Sequence, residues 1–456
     1  MLEYRSWSDL LTDGENGDAA TAVSDDGEYT LSDLRERAAS VSAALAGAGV
    51  RTAAVCTDDF RMFLESLAGC FMAGVHAYLP SSFDRSHFAL IGDRFEAVLT
   101  DGSADLSFLS GKRMLSIAGL ASRKGLRPRA FDERAGRCTL FTSGSTGTPK
   151  EDSKTARELI LRAIGEHPGV SMCYGRGRRV FATVPCRHGY GLTSRVMLSL
   201  LTLSVSFPRA IASQEELGRI PEGSLLVTSP SFIRRLDPEG RKARCAHVMA
   251  AGGRMTPEAM GLSVRVLGVP ALDVYGSTET GVVATRLDDA PGKPWIPLPE
   301  YHLYADAEGR LHVDRDPVHD GRDLLCGDYV SFNEDGSFVL RGRIGREVKI
   351  EDTLVSLNKV EAAMAGDPWI AAAAAVDVRH KEREGIGVAA VLSPRGLRET
   401  GGMTPGKILI ALRERSAGRL SPIERPRYLR IVERLEENAM SKVPREWVLG
   451  LFEGND

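Results

Sequence analysis

Apolar positions along the chain recur in two rhythms. Short runs rich in small and β-branched residues alternate with longer stretches in which apolar residues return every three or four positions. The first rhythm fits strands buried on both faces, and the second fits amphipathic helices. Residues 30–49, TLSDLRERAASVSAALAGAG, predict a helix with Ser32 as its N-cap and glycines at its end. VRTAAVCTDD then predicts a buried strand, FLESLAGCFMAGV a second helix, and AVLTDG at 97–102 a further strand. The alternation continues through RRVFATVP (178–185), SLLVTSP (224–230) and AHVMAAGG (246–253), each ending in small or turn-forming residues. Strands alternating with helices predict a layered α/β domain whose ligands gather at the carboxyl ends of the strands.

The texture changes around 302–345, where HLYADAEGRLHV and DYVSFNEDGSFVLRGR place glycine and Asp-Gly turns between short strands. These read as antiparallel hairpins. Beyond them VKIEDTLVSLNKVEAAM, AAAAAVDV, VAAVLS, a helix near 405–417 and RYLRIV predict a compact α+β set. The expected organisation is a large domain over 1–342, a hinge at 343–345 and a small mobile α+β domain over 346–456.

Composition narrows the possible functions. A net charge of -3 offers no basic field for a nucleic-acid partner. Apolar runs such as Ile370–Val376 are too short to span a bilayer, and the opening residues carry acids without an apolar signal core. Membrane insertion is therefore not expected, and the cytoplasm is the expected location. The seven cysteines stand singly, with no CxxC pair, and read as small buried hydrophobes.

Four segments carry chemistry. In LFTSGSTGTPK, after the strand-like CTLF, glycines let the backbone turn so that N–H groups converge on phosphate oxygens. Ser143, Ser145 and Thr146 add hydroxyl donors, and Lys150 adds a positive charge. Pro149 before that lysine and Glu151 after it exclude a Walker A loop. DVYGSTETG offers Tyr275 to stack on a purine and Glu279 to hold magnesium. Gly327-Asp328 and Arg341-Gly342-Arg343 follow, and Lys442 lies in ENAMSKVPREW. Taken singly, all but the first read more simply as turns and solvated charges.

In this order and at this spacing, the four resemble the motifs of the acyl-adenylate-forming superfamily, and the resemblance covers nearly the whole chain. TSGSTGTPK resembles its phosphate loop, YGSTE its adenine and magnesium motif, and NAMSK its catalytic-lysine segment, with Ser441 replacing the more usual glycine. The resemblance implies ATP and Mg2+ as cofactors. It places Thr142, Ser143, Gly144, Ser145, Thr146, Gly147 and Lys150 on the phosphates and Glu279 on magnesium. It likewise places Gly252, Gly253, Tyr275, Gly276, Ser277 and Thr278 on adenine, and Asp328 and Arg343 on ribose. Lys442 would bridge the carboxylate and α-phosphate, and Gly345 would stand at the pivot where relatives carry Asp or Lys.

The implied reaction joins a carboxylic acid to AMP and then passes the acyl group to a thiol. VKIE-x-x-x-VSL, with Asp352 where many relatives carry glycine, resembles the bacterial aryl polyene branch. There the acceptor is the phosphopantetheine thiol of an acyl carrier protein; free coenzyme A is the alternative. VPCRHGYGLTSRVML contains no acid to pair with an amine, which disfavours an α-amino acid substrate. His188 stands where relatives line the acyl tunnel and is expected to be catalytic beside Lys442, with Tyr190, Ser229, Pro230 and Ser231 as expected pocket neighbours. Hydroxybenzoates fit such a pocket, and medium-chain fatty acids fit a plainer one. A non-catalytic nucleotide-binding relative would lack Lys442, Glu279 or Asp328, and all three are present.

Overall fold

The computed structural model describes all residues except 1–3, 25–26, 143–148, 254, 288–292, 319, 345, 351–352, 381–382, 438–442 and 454–456. Contacts divide the chain into two compact units, Met1–Leu303 with Val313–Leu324, and Tyr304–His312 with Leu325–Asp456.

The first unit is built on two sheets. The six-stranded sheet runs in the order 113–116, 97–100, 52–56, 76–79, 137–142 and 150–155, parallel until the last pair. In the nine-stranded sheet, 271–277, 247–250, 225–228, 179–182, 205–206 and 20–24 are consecutive and parallel, with antiparallel strands on both flanks. Every side chain of Leu225–Thr228 is buried, as its unbroken apolar run requires of a central parallel strand. Phe181, Leu226 and Val248 from this sheet pack with Ile233, Met260 and Leu267 from its helices.

The predicted helix over 30–49 is Leu31–Gly47, but Thr30 caps it, not Ser32. Thr30 and Asp33 satisfy each other's backbone amides in a capping box, which Ser32 could not form. The next helix, Phe60–Ala73, lies close beside it because Gly69 has no Cβ; one there would come within 2.8 Å of Val41 Cβ. Six of the seven thiols are buried, and Cys326 is partly so. Burial pushes the Cys186 thiol up to about 11, which suits a hydrophobe and not a nucleophile.

The second unit contains the hairpin in which Tyr329–Phe332 pairs with Phe338–Gly342, then a two-stranded hairpin of Glu347–Ile350 and Thr353–Ser356. Helix Leu357–Ala365 leads to a three-stranded sheet ordered 370–380, 383–392 and 428–431. Ile386 and Val388 of that sheet pack against Val360 and Met364 of the helix and Ile408 and Leu412 of helix Pro405–Arg415. The α/β class expected from the alternation is the class observed.

Candidate functional site

The strands on either side of the segment that resembles a phosphate loop form a β-hairpin. Arg137–Thr142 pairs antiparallel with Lys150–Thr155, so that Thr142 faces Lys150 across the base of the loop. Ser143, Gly144, Ser145, Thr146 and Gly147 lie outside the described residues. The strand bearing Lys150 is the edge of its sheet, and the side chain is 65% exposed.

DVYGSTETG is also a hairpin, much tighter. Ala271–Ser277 pairs antiparallel with Gly281–Arg286, leaving only Thr278, Glu279 and Thr280 in the turn. Ser277 and Thr280 lock it reciprocally: the Ser277 amide donates to Thr280 Oγ1 at 3.1 Å, and the Thr280 amide to Ser277 Oγ at 3.2 Å. Gly276 must be glycine, because a Cβ there would overlap the carbonyl of Gly281.

The two hairpins meet. Lys150 Nζ lies 3.1 Å from Glu279 Oε1, joining the lysine of the first motif to the acid of the second. Burial works to raise the Glu279 carboxyl, but hydrogen bonds from its own amide, Lys150 and Ser277 hold it below the ordinary range. Glu279 is therefore ionised at neutral pH. Among the described residues there is no cluster of three or more His, Cys, Asp or Glu that could hold a metal. The ionised Glu279 carboxylate, 3.1 Å from Lys150, offers the hard oxygen that magnesium would take.

Tyr275 precedes the turn, its ring centroid 5.4 Å from that of Trp295 at 50°. Arg286 lies over the same Trp295 ring at 4.3 Å and pairs with buried Asp273 at 2.6 Å. Burial, only partly offset by Arg286, raises the Asp273 carboxyl to about 6. Gly252 follows strand His247–Ala250 with φ +88, a backbone that glycine adopts readily. Gly252 and Gly253 are both exposed, beyond a strand that pairs with 271–273, so their open backbone lies one strand from Tyr275.

His188 N-caps the helical turn Gly189–Gly191. Its Nε2 donates to the Ser81 carbonyl at 3.0 Å, which fixes the proton on Nε2 and leaves Nδ1 an acceptor. Burial first, and then the charge of Arg187, pulls this imidazole down to about 4. A neutral ring suits an acyl-pocket wall and does not supply a proton. Gly189 packs on the second motif, since a Cβ there would lie 3.2 Å from Thr278 Cγ2. The Tyr190 hydroxyl is buried without a hydrogen-bond partner, and burial pushes it well above the ordinary phenol range. Ser229 Oγ caps helix Pro230–Arg234 by accepting from Phe232 N at 3.3 Å.

Asp328 and Arg343 belong to the second unit, where they face each other across the hairpin. Asp328 is half-buried and follows Gly327, whose φ is +48. Lys442 and Gly345 lie outside the described residues.

Two buried charged positions beside the Glu279 turn were not singled out in the sequence. Helix Ala156–Val170 starts directly after the Lys150 strand and buries Arg162 and Glu166. Arg162 Nη2 donates to the Glu279 carbonyl at 2.8 Å, and Glu166 Oε1 accepts from the Val282 amide at 2.9 Å. Burial raises the Glu166 carboxyl to about 7 despite that bond and the nearby Arg162. The available signal was charge at i and i+4 on a face otherwise made of Leu159, Ile160, Ala163 and Val170.

The sequence profile of the AMP-binding enzyme family matches residues 12–314. Phenyloxazoline synthase MbtB of Mycolicibacterium paratuberculosis is 26% identical over 94% of this chain, which spans only 40% of that synthase. The benzoate CoA ligase of Burkholderia xenovorans superposes with a TM-score of 0.80 at 18% identity, covering 98% of this chain and all (100%) of that one. The o-succinylbenzoate coenzyme A synthetase of Bacillus subtilis, solved with ATP and magnesium, superposes at 0.78 with 18% identity and covers 97% of this chain and 99% of its own. At these identities the two superpositions speak for the fold.

Proposed function

Because the chain belongs to the AMP-binding enzyme family, we propose that it activates an aryl carboxylic acid with ATP and transfers the acyl group to a phosphopantetheine thiol. The observation that carries this reading is the Lys150–Glu279 pair at 3.1 Å. It joins Lys150, at the end of the segment that resembles a phosphate loop, to an ionised carboxylate suited to magnesium.

In the first step the acid's carboxylate oxygen bonds to the α-phosphorus of ATP and the bond to the β-phosphate oxygen breaks, releasing pyrophosphate. Charge builds on the phosphoryl oxygens, so fixed positive groups and aligned amides lower the barrier most. The loop 143–147 with Thr142 holds the phosphates, and Lys150 accompanies the leaving pyrophosphate. Magnesium on Glu279 supplies neutralisation of phosphate charge. Lys442 bridges the carboxylate and the α-phosphate, while Asp328 and Arg343 take the ribose and Tyr275 the adenine. In the second step the thiol sulfur attacks the acyl carbon, its proton is lost, and AMP leaves. We place the pivot between the steps at Gly345, between a large domain ending at 342 and a small one beginning at 346.

An aryl acid is supported by the pocket residues. His188 is neutral and held in one tautomer. The unpaired buried hydroxyl of Tyr190 gains from a polar ligand group, since leaving it unmade costs about 1–3 kcal/mol. Benzoate and succinylbenzoate in the names of two fold neighbours agree with that class. The same names favour coenzyme A as a second reading for the acceptor, against the carrier protein that VKIE-x-x-x-VSL suggests.

The test is product analysis with ATP, magnesium and a panel of hydroxybenzoates, cinnamates, fatty acids and amino acids. AMP and pyrophosphate released only with aryl acids support the proposal; ADP, or turnover indifferent to the acid, overturns it. Adding coenzyme A or a phosphopantetheinylated carrier protein then separates the two acceptors. Lys442→Ala is expected to abolish adenylation yet still transfer the acyl group from a supplied acyl-adenylate; equal loss of both steps would remove the bridging role of Lys442.

A further inference from the structure

Glu279 is held from both ends by one continuous stretch of chain. Lys150 reaches its carboxylate, and Arg162, on the helix that begins at Ala156, reaches its backbone carbonyl. One helical turn further along the same face, Glu166 takes the amide of Val282 just beyond the turn. The pairing register of the hairpin shifts between Tyr275 and Gly276, and the Val282 amide is bonded by this side chain. Gly281, with φ +71, lies between the two contacts: a Cβ there would overlap Glu166 Oε1 and come within 2.8 Å of Arg162 Nη1.

Burying these two charges is costly. Both residues are at most 3% exposed, and Arg162 Nε, Arg162 Nη1 and Glu166 Oε2 lack hydrogen-bond partners. Leucines on this face would fill the space without that cost. The bonds observed in return all fall on the backbone of the Glu279 turn. The helix is itself fixed at the same level. Gly165 and Gly169 admit Pro317 and Leu298 so closely that a Cβ on either glycine would overlap them. A capping box of Thr155 and Glu158 secures its start.

We propose that Arg162 and Glu166 are positioning residues that fix the 277–282 backbone and so hold the Glu279 carboxylate against Lys150. The inference rests on the adenylating reading above for its consequence, but its structural half stands without it. A residue that orients a metal-binding carboxylate changes metal affinity, with losses of about 10–100-fold when removed.

The experiment compares wild type with Arg162→Ala, Arg162→Lys and Glu166→Gln, each checked for a cooperative melt. Hydrogen–deuterium exchange of the unliganded proteins reads amides 277–282. Pyrophosphate release titrated with magnesium chloride at fixed ATP reads the consequence. Arg162→Ala is expected to speed exchange in 277–282 by about tenfold or more, with amides of strand 225–228 unchanged. It is also expected to raise the half-saturating magnesium concentration by about tenfold or more, with the maximal rate less affected. Arg162→Lys, keeping one donor, is expected to restore part of both; Glu166→Gln, keeping an acceptor for Val282, most of both. Unchanged exchange and unchanged magnesium dependence in a folded Arg162→Ala overturn the inference. So does protection lost equally across the sheet, which marks a purely structural pair. If wild type releases no pyrophosphate with any acid, the adenylating reading fails, and the exchange data alone decide the clamp. Should Arg162→Ala not fold, Arg162→Lys takes its place with the same two readouts.

Discussion

Two hairpins bear residues of the proposed chemistry, and they are built in opposite ways. The hairpin of 271–286 turns in three residues, locks Ser277 against Thr280 and is gripped from below by buried Arg162 and Glu166. The hairpin of 137–155 has a longer connection between its strands, over residues 143–149, and presents Lys150 on an exposed edge strand. The difference separates two requirements. A carboxylate that orients a metal needs a fixed backbone, because a small displacement spoils coordination. A lysine that follows a leaving phosphate group needs reach, which a long exposed stem supplies.

The comparison breaks most visibly at the glycines of the tight turn. Gly276→Ala drives a Cβ into the Gly281 carbonyl, and we expect about 3 kcal/mol or more of lost stability with pyrophosphate release near background. Thermal melts and the release assay check this. Gly252→Ala provides the contrast: with φ +88 and nothing within 4 Å of its Cβ, it pays only backbone strain, about 1–3 kcal/mol, and keeps the fold.

Removal of the proposed magnesium ligand comes next. Glu279→Gln keeps the turn but loses the ion pair and the carboxylate, so the magnesium requirement is expected to rise about 10–100-fold while the melting temperature moves little. Lys150→Ala is expected to slow pyrophosphate release about tenfold or more, yet to cost less than about 1 kcal/mol of stability, because the pair is exposed. A large loss of stability would show that Lys150 is structural and that the two hairpins do not differ as argued.

The smallest effect is in pH. Glu166 and Asp273 are raised to about 7 and about 6 in the folded chain, from ordinary values of 4.5 and 3.8. Between these limits the folded state binds more protons than the unfolded state, so stability falls as pH rises and levels off above about 7. Glu166→Gln removes the upper part of this slope, and melting curves from pH 5 to 8 would show it flattened.

Much of this was legible in the sequence because it is local. Strands such as Leu225–Thr228 and helices such as Phe60–Ala73 follow from periodicity, and the motif strings mark both hairpins. The Ser32 cap was misplaced by two residues because Thr30 and Asp33 form a reciprocal pair that a single capping residue does not reveal. Arg162 and Glu166 went unread because their partners lie more than a hundred positions away, at Glu279 and Val282. Only the fold brings a charged helix face under a distant turn. The bond from His188 to the Ser81 carbonyl, more than a hundred positions away, is likewise set by the fold and not by spacing.

The measurement that tests the central claim most directly is acid-dependent exchange of labelled pyrophosphate into ATP in the presence of magnesium. Exchange that appears only with an aryl acid, and that falls in Lys150→Ala and Glu279→Gln, is the predicted result. ATP binding with no exchange for any acid in the panel, or exchange unchanged in both variants, would contradict it.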